Sequence, residues 1–344
     1  MPIACTQGMP QPSVSLQAIC IGASSGGVSA MLEFVAALPA GFPVPIFVVQ
    51  HIGAHRSQLA SLLDARGPNR AVEGRSGEVP AAGTIYVAPS DHHMLLDGGV
   101  IRLSRGPKEH HARPAIDPLF RSAALAYGAR AAGVVLTGML DDGSAGLRAI
   151  KDCGGIAVVQ DPAEAHEPSM PRAAMVAVQV DHVVKLAELP TLLMQLAWRR
   201  DGVADAAVPP ALREEYEIAF GESTVEKLKA IAEPSMFTCP DCGGVLFELN
   251  DKHPVRYRCH TGHAFSLRSL AATQEEVTDG ALWTSLRTLQ EKEPILRRLA
   301  AMQRDDGTGD PEGSLREADD LAAVSAALRK LTLKAPSPSG FAVR

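Results

Sequence analysis

The chain has 344 residues, 46% of them hydrophobic and 21% charged, enough to bury a substantial core in one medium domain with smaller appendages. Its 39 acidic and 33 basic residues give a formal net charge of −6, which argues against generic binding to nucleic acid or to an anionic membrane surface. The most apolar stretch, residues 28–49, is broken by Glu33, Pro39, Pro43 and Pro45 and cannot form a membrane span.

Residues 1–16 have neither a basic start nor an apolar centre, so they read as a flexible tail rather than a secretion signal. From there to about residue 200, short apolar runs alternate with helical patterns. Buried strands are expected at Ala18–Ile21, Ile46–Gln50, Thr84–Ala88, Gly133–Thr137 and Ile156–Gln160. Helices are expected at Val28–Leu38, Gln58–Ala65, Asp117–Tyr127, Ser144–Lys151 and Leu186–Trp198, and a hairpin from His93 to Leu103 turning at Asp97-Gly98-Gly99. This alternation predicts an α/β fold, a doubly wound, mostly parallel and Rossmann-like sheet over 17–200. Residues 201–235 read as a linker with a helix, 236–268 as a small cysteine-rich module, 269–335 as a helical hairpin bent at Pro294, and 336–344 as a second flexible tail.

In an open parallel sheet, ligands gather at the carboxyl ends of the strands. Ser24 follows the first strand inside Gly22-Ala23-Ser24-Ser25-Gly26-Gly27, His51 follows the second, and Asp141 and Asp142 follow a later one. A hydroxyl, an imidazole and a carboxylate on one edge can support acyl transfer: the ring takes the serine proton and the carboxylate orients the ring. Each residue also has a plainer role, with Ser24 or Asp142 as a helix cap and His51 as a structural histidine. The segment fits the G-x-S-x-G elbow, but the order Ser, His, Asp differs from the Ser, Asp, His of α/β-hydrolases. A phosphate-binding loop lacks its partners, because no G-x-G-x-x-G or G-K-[ST] is present and His51 stands where an acidic residue would bind ribose.

Among the six cysteines, Cys239, Cys242 and Cys259 cluster with histidines, while Cys5, Cys20 and Cys153 are scattered. That distribution suits a cytoplasmic protein with one metal site better than a disulfide framework. Cys239-Pro240-Asp241-Cys242 and Cys259-His260-Thr261-Gly262-His263 offer three thiolates and a histidine to a structural zinc, with His263 favoured over His260 because Gly262 lets its ring swing back. Free thiols or a redox-active Cys239/Cys242 pair are the plainer alternatives.

Residues 18–199 resemble the methylesterase domain of the bacterial chemotaxis CheB family. The resemblance rests on Ile21-Gly22-Ala23-Ser24-Ser25-Gly26-Gly27, Gln50-His51, Tyr86-Val87-Ala88-Pro89, Arg113-Pro114-Ala115-Ile116-Asp117, Leu136-Thr137-Gly138-Met139, Asp142-Gly143 and Met170-Pro171-Arg172. It implies Ser24 as nucleophile, His51 as base, Asp142 as orienting carboxylate and backbone N–H groups near Ser25 and Met139 as the oxyanion site, with no cofactor for catalysis. It also implies hydrolysis of glutamate methyl esters, and deamidation of glutamines, on the cytoplasmic domains of methylated chemoreceptors. Other chemosensory proteins are further candidate partners; nucleic acid and membrane insertion are not expected. Family members usually carry an N-terminal receiver domain, whereas only residues 1–17 precede the first strand here, so no receiver switch is expected. Arg113 falls near the family's substrate groove, where it could meet receptor carboxylates or form a surface salt bridge; His92 and His93 are expected in a solvated loop. The competing functions are a non-catalytic receptor-binding adaptor and a small-ester hydrolase on the same fold.

Overall fold

A computed structural model describes residues 16–51, 57–198, 206–251 and 253–333. The expected tails, except residue 16, together with residues 201–205 of the linker and Cys5, lie outside the described residues.

The chain opens with β1 (Ala18–Ala23), α1 (Gly27–Ala37), β2 (Ile46–Gln50), α2 (Leu59–Arg66), β3 (Arg70–Glu73) and β4 (Thr84–Val87). A hairpin, β5 (His93–Asp97) and β6 (Val100–Ser104), precedes α3 (Ile116–Tyr127) and β7 (Ala131–Val135). Then come α4 (Ser144–Asp152), β8 (Ile156–Gln160), α5 (Ser169–Ala177), β9 (His182–Val184) and α6 (Leu189–Ala197). Seven strands form one parallel sheet in the order β3-β4-β2-β1-β7-β8-β9.

Period-2 alternation divides β1 between two cores. Ile19 and Ile21 pack with Met31, Phe34 and Val35 of α1 and Leu193 of α6. Cys20 faces the opposite layer with Phe47, Phe120 and Leu147. On α1 the buried Ala30, Met31, Phe34 and Val35 follow the three-and-four spacing that puts one helical face on the sheet. The strand order reverses between β1 and β7, so a crevice opens beyond the carboxyl ends of β1, β2 and β7.

The five expected strands all lie in this sheet, and the hairpin turns at Gly98 and Gly99, both at positive φ. The edge strands β3 and β9 were not anticipated, because they are short and only partly buried and so lack a continuous apolar run. Helix α5 was also missed; Pro171 lies in its first turn, where proline is tolerated.

Beyond the linker stand α7 (Pro210–Phe220) and α8 (Val225–Ile231), then β10 (Ala232–Thr238), β11 (Val245–Leu249), β12 (Arg256–Cys259) and β13 (Ala264–Ser266) in an antiparallel ribbon of that order. Helical structure expected through 235 stops at Ile231. Pro234 cannot continue a helix and sits instead on the edge strand β10, where its missing N–H costs little. The described residues up to Leu270, ribbon included, form one compact unit with the α/β sheet.

The rest of α9 (Leu267–Asp306), from Ala271, and α10 (Pro311–Thr332) form a second unit. Helix α9 runs through Pro294. The Asp310 side chain caps α10 at the Gly313 N–H (2.8 Å). Between the two helices Lys292 pairs with Glu317, Arg297 with Asp319 and Arg304 with Glu312.

Candidate active site

The crevice is built from the turns that end β1, β2 and β7. Ser24 directly follows β1; its N–H donates to Thr137 O (2.9 Å), and its carbonyl accepts from Gly27 N (2.8 Å) and from Gln50 Nε2 (2.8 Å). His51 leaves β2 with its N–H on Ala23 O (3.1 Å), so serine and histidine hang from paired strands. The imidazole presents Nδ1 to Ser24 Oγ at 3.1 Å and Nε2 to Asp142 Oδ2 at 2.7 Å. That geometry puts the ring proton on Nε2 and leaves the Nδ1 lone pair facing the hydroxyl. Groups far apart in sequence thus form one continuous Ser24–His51–Asp142 relay.

The Asp142 side chain is buried, and its oxygens also accept Ile116 N–H (2.7 Å), Asp117 N–H (3.0 Å) and Gly143 N–H (2.8 Å). Burial alone would raise its pKa, but the His110 charge, the His51 hydrogen bond and the Ile116 N–H outweigh it and hold the carboxyl well below the usual range. Asp142 is therefore an anion at neutral pH.

The loop after β7 supplies the remaining wall. Thr137 N–H donates to Gln160 Oε1 (2.9 Å), while Thr137 Oγ1 donates to Ser25 O (2.8 Å) and accepts Glu167 N–H (2.8 Å). Among the described residues, the N–H groups of Ser25 and Met139 donate to no other group, which leaves them free for a developing oxyanion. Gly138 permits the close approach: a Cβ there would overlap Met170 Sδ and stand 2.8 Å from Ser24 Cβ.

Behind Asp142 lies a residue that motif reasoning missed. His110, at φ 52° and with its side chain 6% exposed, places Nε2 3.0 Å from Asp117 Oδ2 and 3.6 Å from Asp142 Oδ1, and Nδ1 3.0 Å from Ser269 Oγ. Burial would lower its pKa, yet the Asp142 and Asp117 carboxylates dominate and push it up to about 9. The nearest sequence signal was the pair His110-His111 just ahead of Arg113-Pro114-Ala115-Ile116-Asp117. Neighbouring Asp141 is buried too and accepts from Ser266 Oγ at 2.6 Å; burial pushes its pKa up.

Arg113 is occupied within the protein. Its Nε and Nη2 hold Asp91 Oδ1 at 2.9 and 2.6 Å, and Nη1 donates to the carbonyls of Arg105 and Gly106. Those contacts form the salt bridge that the sequence offered as the plainer role for Arg113. The expected solvated loop at His92-His93 is corrected for His93, which is fully buried: its Nε2 meets Pro107 O (2.9 Å) and its Nδ1 accepts Ala115 N–H (3.2 Å). It helps fasten the start of α3.

A second cluster lies in the ribbon, where the donor atoms of Cys239, Cys242, Cys259 and His263 all fall within 4.8 Å of one another and could hold a metal ion. His260 instead sits over Gly244.

Residues 19–193 match the family described as CheB methylesterase. The protein-glutamate methylesterase/protein-glutamine glutaminase 2 of Anaeromyxobacter dehalogenans is 42% identical over 188 residues, 54% of this chain and 55% of that protein. A relative from Leptospira interrogans is 38% identical over 185 residues, 53% of this chain and 96% of its own. The chain thus spans about half the length of the first relative and nearly all of the second. The crystal structure of the Thermotoga maritima CheB methylesterase catalytic domain superposes with a TM-score of 0.51 at 32% identity, covering 53% of this chain and 100% of that domain. The chain belongs to the CheB methylesterase family.

Proposed function

We propose that this protein is a serine hydrolase that removes methyl groups from glutamate methyl esters on the cytoplasmic domains of chemoreceptors, and that it deamidates glutamines there by the same route. The observation that carries this reading is the Ser24–His51–Asp142 relay, with contacts of 3.1 and 2.7 Å and two N–H groups beside the serine that donate to no group among the described residues. The names of the relatives supply the substrate class.

In the proposed reaction Ser24 Oγ attacks the ester carbonyl as His51 Nδ1 takes its proton. The imidazolium is stabilised through Nε2 by the Asp142 anion. The oxyanion forms against the N–H groups of Ser25 and Met139. Collapse transfers the proton from His51 to the departing methoxide, releasing methanol and leaving an acyl-serine. Water, deprotonated by the same imidazole, then frees the glutamate carboxylate and restores Ser24. Net, ester and water become carboxylate, methanol and a proton. No described helix is long and apolar enough to cross a membrane.

The test is methanol release from methylated receptor in vitro. Wild-type protein is expected to release it, whereas Ser24→Ala releases none while keeping its circular dichroism spectrum. Equal rates for the two proteins would exclude the serine mechanism.

A further inference from the structure

The four donors in the ribbon have the dimensions of a coordination shell. Cys242 Sγ is 3.7 Å from Cys259 Sγ, and His263 Nδ1 is 3.7 Å from Cys239 Sγ and 3.5 Å from Cys259 Sγ. Metal–ligand bonds of about 2.0–2.3 Å in a tetrahedron place neighbouring donors about 3.5–3.8 Å apart. A disulfide would need about 2.05 Å between sulfurs, which the Cys242–Cys259 separation excludes. Two tight turns carry the donors: Gly243 N–H closes on Cys239 O and Gly262 N–H on Cys259 O, both at 2.8 Å. The apolar core around them is small, with Leu246, Tyr257, Phe265 and Leu270 packed on Cys239 and Cys259 themselves. Three soft thiolates with an imidazole select zinc over hard cations.

The same turn reaches the active site. Ala264, next to His263, accepts His110 N–H (2.8 Å) and donates to Lys108 O (3.1 Å), which joins residues 108–110 to the ribbon. Arg258, next to Cys259, donates to Gly262 O (2.9 Å) and pairs with buried Glu109 (3.0 Å). Ser269 Oγ meets His110 Nδ1 at 3.0 Å, and Ser266 Oγ donates to Asp141 at 2.6 Å. His111, finally, pairs with Asp241, which lies between Cys239 and Cys242.

We propose that Cys239, Cys242, Cys259 and His263 bind one zinc ion, and that this ion locks the ribbon onto residues 108–110, bracing His110 and through it Asp142. His110 is a positioning residue in this scheme, since it touches Asp117 and Asp142 but not Ser24 or His51. The metal site stands on its own geometry; the effect on turnover rests on the hydrolase reading.

The experiment uses the full chain. Elemental analysis is expected to find about one zinc per protein, and cobalt replacement to give the visible bands of a tetrahedral thiolate site. Cys242→Ala weakens both, and because Cys242 is exposed the variant leaves the core packing in place. Stripping zinc with a chelator raises hydrogen exchange at the His110 amide and slows fluorophosphonate labelling of Ser24 about 10- to 100-fold, and added zinc reverses both. In zinc-loaded protein, His110→Gln lowers kcat for methanol release while KM stays fixed. A chain that takes up neither zinc nor cobalt overturns the site. Exchange at His110 that is indifferent to stripping and re-addition overturns the brace. Zinc-dependent exchange in a protein that releases no methanol supports the brace and overturns the proposed substrate instead.

Discussion

Asp142 accepts two N–H donors at each carboxylate oxygen, counting His51, Ile116, Asp117 and Gly143. In Asp142→Asn one oxygen becomes an NH2 that must face two donors, whichever way the amide turns. The variant is expected to lose turnover by about 10⁴-fold and stability by about 1–3 kcal/mol. Methanol release and urea melts check the two effects separately. Gly138→Ala tests fit: its methyl has no room between Met170 Sδ and Ser24 Cβ, so the serine must shift. We expect about a 10²-fold loss in kcat with the fold kept, read by single-turnover labelling of Ser24.

Where ribbon and α/β domain meet, charge does much of the work. Glu109 holds Arg121 and Arg258, and Glu215 holds Arg256 and Arg258, all of them buried. Burial would raise the Glu109 and Glu215 pKa values, but the arginines hold both carboxyls below their usual range, Glu215 down to about 2. His110 belongs to the same joint and is faced by Asp117 on α3, by Asp141 and Asp142 in the loop before α4, and by the Ser269 hydroxyl on α9. Its folded pKa of about 9 lies above the usual value of about 6.5. Its contribution is therefore complete below about pH 6.5 and lost as pH rises through about 9. Thermal melts from pH 6 to 9.5 are expected to show this alkaline loss, and His110→Gln to flatten it.

At the scale of the molecule, the sheet was readable because parallel strands buried on both faces leave continuous apolar runs, such as Ile46–Gln50 and Ile156–Gln160. The same logic located Ser24 and His51 at strand ends. It could not find β3 or β9, whose exposed positions break the run, nor show that Ser266 and Ser269 would meet Asp141 and His110 across more than a hundred residues. Long-range pairing of polar groups leaves no local period. The cysteine spacing pointed to a small module but not to its seat against residues 108–110 and Asp141. A fragment ending at residue 200 is thus expected to melt about 5–10 °C below residues 1–270, because Glu109 and Asp141 lose Arg258 and Ser266 of the ribbon; scanning calorimetry of the two fragments decides it.

Those partners follow the α/β domain in the chain. Translation runs from the amino end and domains fold as they emerge, so a nascent chain halted near residue 200 already owns Ser24, His51 and Asp142 while the wall behind them is still unmade. Arg258, Ala264, Ser266 and Ser269 emerge more than fifty residues later. Under the proposed brace, a chain stopped short of those residues is a poor hydrolase rather than an unrestrained one.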